Sequence, residues 1–169
     1  MRLKLRPLDD GDIALVETWL NTAHVKRWFE IPRLNTTIED WMKEIREYRG
    51  EYRWITYFVL MLDSRPIGMC QYYKCADSVD EDYGTMPVDG SYGIDYLIGE
   101  EDCLGRGFGR EMVSLLASTI FQLPDARRVT AHIDTENTAS RKTLLSCGFR
   151  KLESVSGRYV LERRNTLAD

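Results

Sequence analysis

The chain has 169 residues, 43% hydrophobic and 30% charged, which excludes wholesale disorder and suffices for one buried core without disulfides or metals. A net charge of −4 speaks against a nucleic-acid binder and favours a cationic partner. No apolar run approaches the roughly 20 residues of a membrane span. Met1-Arg2-Leu3-Lys4 passes straight into alternation with no signal-peptide core, so a cytoplasmic protein without a membrane partner is expected.

Arg2-Leu3-Lys4-Leu5-Arg6 alternates polar and apolar and predicts a strand, which Pro7 ends. Asp9 or Asp10 can cap the following helix, whose apolar face is Ile13, Val16, Trp19 and Leu20. A short second helix carries Val25, Trp28 and Phe29, and Pro32 follows it. Thr36 or Thr37 caps a third, with Glu39 and Asp40 at its positive end, running through Trp41, Ile45 and Tyr48 to Gly50. Tyr52 to Leu62 and Pro66 to Cys75 predict strands on either side of the Asp63-Ser64 turn. Asp77 to Gly90 is loop by composition, and Tyr92 to Ile98 is a further strand. A glycine cluster then opens a helix from Gly107 to Phe121, buried through Met112, Val113, Leu115, Leu116 and Ile120. Val129 to Ile133 predicts a strand, Asn137 to Ser146 a helix, and Phe149 to Val155 with Arg158 to Leu161 a closing strand pair. Cys70, Cys75, Cys103 and Cys147 lack the paired spacing of zinc sites and read as free thiols, so no metal is expected. With no internal repeat or low-complexity linker, residues 1–169 read as one α/β domain.

Gly105, Gly107 and Gly109 lie between a strand and a helix, where glycine lets the chain turn sharply and bring backbone N–H groups close to a phosphate at the positive helix end. Arg106 and Arg110 can add charge; a purely structural loop with glycine caps would look similar. The Walker pattern has no Gly-Lys-Ser/Thr to match here, and the dinucleotide fingerprint fails because Arg110 stands where its third glycine belongs. Taken together, the loop from Leu104 to Gly109, the strand after its helix, then Asn137 and Gly148-Phe149 resemble the GNAT superfamily of N-acetyltransferases. That resemblance implies a mixed, mostly antiparallel sheet with a splayed central strand pair flanked by helices, and acetyl-coenzyme A as the donor. It assigns to the coenzyme Leu104, Gly105, Arg106, Gly107, Phe108, Gly109 and Arg110 in the loop, with Asn137 and Ser140 on the next helix. The pantetheine arm is implied to lie along Leu97-Ile98-Gly99. Leu104 departs from the family's Gln or Arg, a small loss where backbone donors do the binding.

Three stretches, Thr18 to Phe29, Arg65 to Tyr73 and Gly93 to Gly109, are similar to the aminoglycoside 6'-N-acetyltransferases within that superfamily, with Tyr96 where Gln is usual. This implies a 6'-amine as acceptor and antibiotic resistance as the role. Siderophore hydroxylysine and peptide N-acyltransferases share parts of the pattern, and a non-catalytic acyl-CoA-binding module is the reading from another class. Asp95, in the family's Gly-Ile-Asp, is the candidate base that deprotonates the amine, or a carboxylate that only holds it. Asp134 either contacts substrate or caps the next helix, and Trp28 and Tyr73 match pocket walls but suit plain core equally. Many relatives carry a tyrosine seven residues after the Asn, which protonates the leaving thiolate; here Leu144 stands there and reads as core. Ser140, Tyr92, Tyr96 and solvent remain as substitutes. From Asp77 to Asp102 every charged residue is acidic, ordinarily a solvated loop, but here also a rim that draws a polycationic aminosugar. Nothing in the sequence decides between monomer and homodimer.

Overall fold

Alternating apolar residues and two well-capped helical segments set the element order. The computed structural model describes residues 1–78 and 80–164; Val79 of the expected loop and residues 165–169 of the expected domain lie outside it. The order is β1 (Leu3–Pro7), α1 (Ile13–Leu20), α2 (Ala23–Phe29), α3 (Ile38–Arg46), β2 (Ile55–Leu62), β3 (Arg65–Lys74) and β4 (Ser91–Ile98). Then follow α4 (Phe108–Phe121), β5 (Arg128–His132), α5 (Thr138–Ser146), β6 (Arg150–Lys151) and β7 (Arg158–Glu162). Asp9 caps a short 3-10 turn, Asp10–Asp12, that leads into α1. Thr37 and Asp40 form a reciprocal capping box at α3: Thr37 Oγ1 accepts from the Asp40 amide at 3.2 Å, and Asp40 Oδ2 accepts from the Thr37 amide at 2.7 Å.

The strands form one seven-stranded sheet, ordered β1-β2-β3-β4-β5-β7-β6 and antiparallel except at its centre. There β4 and β5 run parallel and pair only at Ser91–Arg128, Tyr92–Val129 and Gly93–Thr130. Beyond Gly93 the strands part, and Ile94 to Ile98 keep a ladder partner only on the β3 side. This is the implied splay.

Period-two alternation divides the core between the two sheet faces. Leu60, Ile67, Cys70, Tyr92 and Ile94 pack with Met112, Val113, Leu116 and Ile120 of α4 and with Leu144 of α5. Tyr57, Val59, Met69, Tyr73 and Leu97 pack on the opposite face with Trp19, Leu20, Met42 and Ile45 of the N-terminal helices. Leu144 is fully buried, as core packing required.

The structure differs from expectation in three places. Helix α3 stops at Arg46, and turns continue to Trp54, so β2 starts at Ile55 rather than Tyr52. The expected strand from Phe149 to Val155 shrinks to Arg150–Lys151, because turns closed at Gly157 (φ +81°) take the chain back to β7. The expected acidic loop is anchored: Tyr83 and Met86 are buried with Cys75, Leu152 and Val160 in a small separate cluster. All four cysteines are free thiols, and no helix among the described residues is long and apolar enough to cross a membrane.

Candidate active site

The glycine loop turns through two left-handed residues, Gly105 (φ +70°) and Gly107 (φ +83°). A Cβ at either would meet no atom within 4 Å, so backbone conformation, not crowding, selects glycine there. Gly107 is the N-cap of α4 and no side chain caps that end, which leaves the first-turn amides for a ligand. A cavity of about 560 Å³ runs from Leu104, Gly105, Gly107, Phe108, Gly109 and Arg110 along the open edge of β4 at Tyr96, Leu97 and Ile98. Two expected coenzyme residues do not line it. Arg106 lies with its guanidinium over the Phe108 ring, 4.8 Å from the centroid. Gly99 is buried beneath the Trp19 ring, where a Cβ would come within 2.1 Å of it.

A second cavity of about 440 Å³ continues from the first and contains Asp95 and Asp134. Trp28, Phe29, Tyr96, Asn137 and Ser140 border both cavities, so the two adjoin as one passage with these residues as shared walls. Asn137 caps α5, its Oδ1 accepting from the Ser140 amide at 3.2 Å. The capping alternative for Asp134 is thereby corrected: Asp134 orders the preceding turn, accepting from the Glu136 amide at 2.9 Å, and stays exposed at the cavity wall. Tyr73, expected as a pocket wall or core, is core. Its ring covers Gly93, its hydroxyl donates to Glu81 Oε1 at 2.9 Å, and it lines neither cavity.

Asp95 is partly buried, and Gln71, directly opposite on β3, donates to its Oδ2 at 3.1 Å. Burial, then the charges of Glu81 and Glu44, push its carboxyl up to about 7, against the Gln71 bond and Arg158. Burial, Asp40 and Glu81 likewise push Glu44 up to about 7. A carboxyl held there is half ionised near neutrality, which suits proton abstraction from an ammonium. Arg158, only 1% exposed, bonds Glu81 Oε2 at 2.9 Å and limits the local excess of negative charge. Elsewhere the acidic run is partly neutralised, for Arg65 pairs with both Glu100 and Asp102.

Sequence reasoning did not reach Glu44 or Gln71, and it gave His24 no catalytic role. Gln71 comes opposite Asp95 through the β3–β4 register, which no local pattern carries. His24 Nε2 lies 2.9 Å from the Ile98 carbonyl oxygen, on the open β4 edge where the donor arm was expected. Tyr92, one of the substitute acids, donates instead to Asp125 at 2.7 Å and lines neither cavity. Among the described residues no group of three or more His, Cys, Asp or Glu side chains could hold a metal.

A splayed strand beside a glycine-turned helix start, with a tunable carboxylate at the other end of the passage, is the architecture of an acyl-transfer enzyme. The chain belongs to the acetyltransferase (GNAT) domain family, whose model matches residues 9–156. Two curated relatives, the aminoglycoside N(6')-acetyltransferases type 1 of Klebsiella pneumoniae and Serratia marcescens, are each 25% identical over 152 residues, covering 90% of this chain and 76% of theirs. Among solved structures, aminoglycoside acetyltransferase AAC(6')-Ib with coenzyme A superimposes with a TM-score of 0.80 at 24% identity, over 96% of this chain and 95% of that one. The same enzyme with ribostamycin and coenzyme A gives 0.82 at 23% identity, over 100% and 99%. At these identities the superpositions establish the fold.

Proposed function

We propose that the protein transfers the acetyl group of acetyl-coenzyme A to the 6'-amine of an aminoglycoside, and that antibiotic resistance in the cytoplasm is its role. The whole chain works as one catalytic domain. The observation that carries this reading is Asp95, a carboxyl pushed up to about 7 at the wall of a cavity continuous with the glycine loop. The curated relatives named for aminoglycoside 6'-acetylation support the acceptor, and the four free thiols suit a reducing compartment.

In this reading the α4 amides and Arg110 hold the coenzyme pyrophosphate. Leu97 and Ile98 align the pantetheine arm, and the thioester sits beside Tyr96, where the two cavities meet. The aminosugar enters from the Asp134 side with Trp28 as a wall. Asp95 takes a proton from the ammonium, and the neutral amine attacks the carbonyl carbon. Thiol release from acetyl-coenzyme A tests the proposal, using aminoglycosides with and without a 6'-amine, hydroxylysine and N-terminal peptides. Release confined to 6'-amine sugars is expected. Release with hydroxylysine or peptides instead would reassign the acceptor, and coenzyme binding without release to any amine would make the protein a non-catalytic acyl-CoA module.

A further inference from the structure

Collapse of the tetrahedral adduct expels a thiolate, and the position that carries an acid in many relatives holds Leu144, fully buried among core residues and without a proton to give. We propose that Tyr96 is the acid that protonates the departing coenzyme A sulfur and that Ser140 is the residue that positions its hydroxyl, a reading that rests on the acetyl transfer proposed above.

Trp28, Phe29, Tyr96, Asn137 and Ser140 line both cavities, and the scissile bond must lie beside them if donor and acceptor come from opposite ends. Of these five, only Tyr96 and Ser140 carry hydroxyls, and the two are hydrogen-bonded to each other. Ser140 is itself fixed, because its amide donates to the Asn137 cap at 3.2 Å. Alternation along β4 sets Tyr96 with the α4 and α5 side of the sheet, while Asp95 shares the opposite face with Leu97 and Tyr73. Base and acid thus reach the reacting bond from different faces of one strand, and the proton leaving nitrogen does not compete with the proton arriving at sulfur. Burial holds the Tyr96 hydroxyl above the ordinary tyrosine range, so it carries its proton at every pH at which the amine is attacked, and the Ser140 hydrogen bond works against burial and makes that proton easier to give.

The step balances as follows. The carbon–sulfur bond breaks, its electron pair goes to sulfur, and sulfur takes the proton of Tyr96 Oη. Ser140 Oγ–H donates to the phenolate left behind. The substrate nitrogen loses two protons overall, one through Asp95 and one from the adduct, and both reach solvent. Solvent returns one proton to Tyr96, so each turnover releases one.

Two measurements on Tyr96→Phe test this. In the complex with free coenzyme A, the Tyr96 hydroxyl donates to sulfur and stabilises its thiolate. Ultraviolet titration of the bound thiol should therefore show about tenfold less thiolate at a given pH in the variant. In turnover, the loss with acetyl-coenzyme A should be roughly 10²-fold or more. It should be within about threefold for the acetyl selenoester of the coenzyme, because a selenolate leaves without protonation. Ser140→Ala should lose about 3- to 10-fold with the thioester, the worth of one positioning hydrogen bond, again with little loss for the selenoester. Melting temperature and coenzyme affinity, read by calorimetry, establish that the variants are folded. An unchanged thiol titration, or equal losses with both donors, overturns the proposal. The titration needs no amine, so it decides on Tyr96 even if no aminoglycoside is acetylated, an outcome that would overturn only the acceptor.

Discussion

Replacing Asp95 by asparagine keeps the side chain's size and an oxygen for the Gln71 amide, and removes a charge that its surroundings disfavour. The new amide also offers a donor to Gln71 Oε1, which has no hydrogen-bond partner among the described residues. In the folded chain the Asp95 carboxyl titrates at about 7 against an ordinary value of 3.8. The folded state therefore binds this proton more tightly than the unfolded state. The group's contribution to stability is full below about pH 4 and is lost as pH rises through about 7. At about 1.4 kcal/mol per tenfold change, the displacement sets an upper bound of about 4 kcal/mol. Partial exposure screens that figure, so Asp95→Asn should be about 1–3 kcal/mol more stable than the wild type at pH 8, the two converging toward pH 4. Denaturant unfolding from pH 4 to 8 reads the difference, and turnover of the same samples should fall roughly 10²- to 10⁴-fold. A variant with the wild-type pH slope and no gain at pH 8 would refute the claim that the site holds this carboxylate against an unfavourable field. Survival of turnover would remove Asp95 as the base.

Gly107→Val puts a branched residue at φ +83° with no protein atom in its way, so stability should fall by only about 1–2 kcal/mol while coenzyme A affinity by calorimetry drops more than tenfold. Unchanged affinity would detach the loop from the donor. Leu144→Ala should lower unfolding free energy by about 2–5 kcal/mol and leave turnover per folded molecule unchanged, since the residue is pure core. Arg158→Met removes a cation that favours the ionised form of Asp95, so the acid limb of the pH–rate profile should move upward by as much as about 1 pH unit. A limb that stays in place would uncouple Arg158 from the base.

The glycine turn at the start of α4 was legible in the chain because its parts are contiguous. Three glycines within five residues can be read from composition and spacing; the helix cap was not legible, for Asp134 was the candidate and Asn137 supplies it. The surroundings of Asp95 were not, because Glu44, Gln71 and Glu81 reach it from α3, β3 and a loop. Their meeting depends on strand register and helix docking, which local pattern does not carry. Tyr73 was ambiguous for a related reason: its place as core follows from the space that Gly93 leaves across the β3–β4 pair, where an added Cβ would lie 2.4 Å from the ring. Strand β6 was overread because Leu152 and Val155 are apolar enough to suggest a continuing strand, but the chain closes into turns before Gly157.

An unpaired strand edge is ordinarily a hazard, since its free amides and carbonyls are a template for another polypeptide, and proteins guard such edges with lysines, prolines or bulges. From Ile94 to Ile98 this chain has one charged residue and no proline. Its guard is steric instead. The edge is recessed behind His24, Val25 and Trp28 of α2 on one side and Ala139, Ser140 and Thr143 of α5 on the other. An incoming strand, with side chains on both faces, would meet these residues, whereas an unbranched chain needs less room. The two helices that flank the edge thus cover, within the protein itself, backbone that lysines or prolines guard elsewhere.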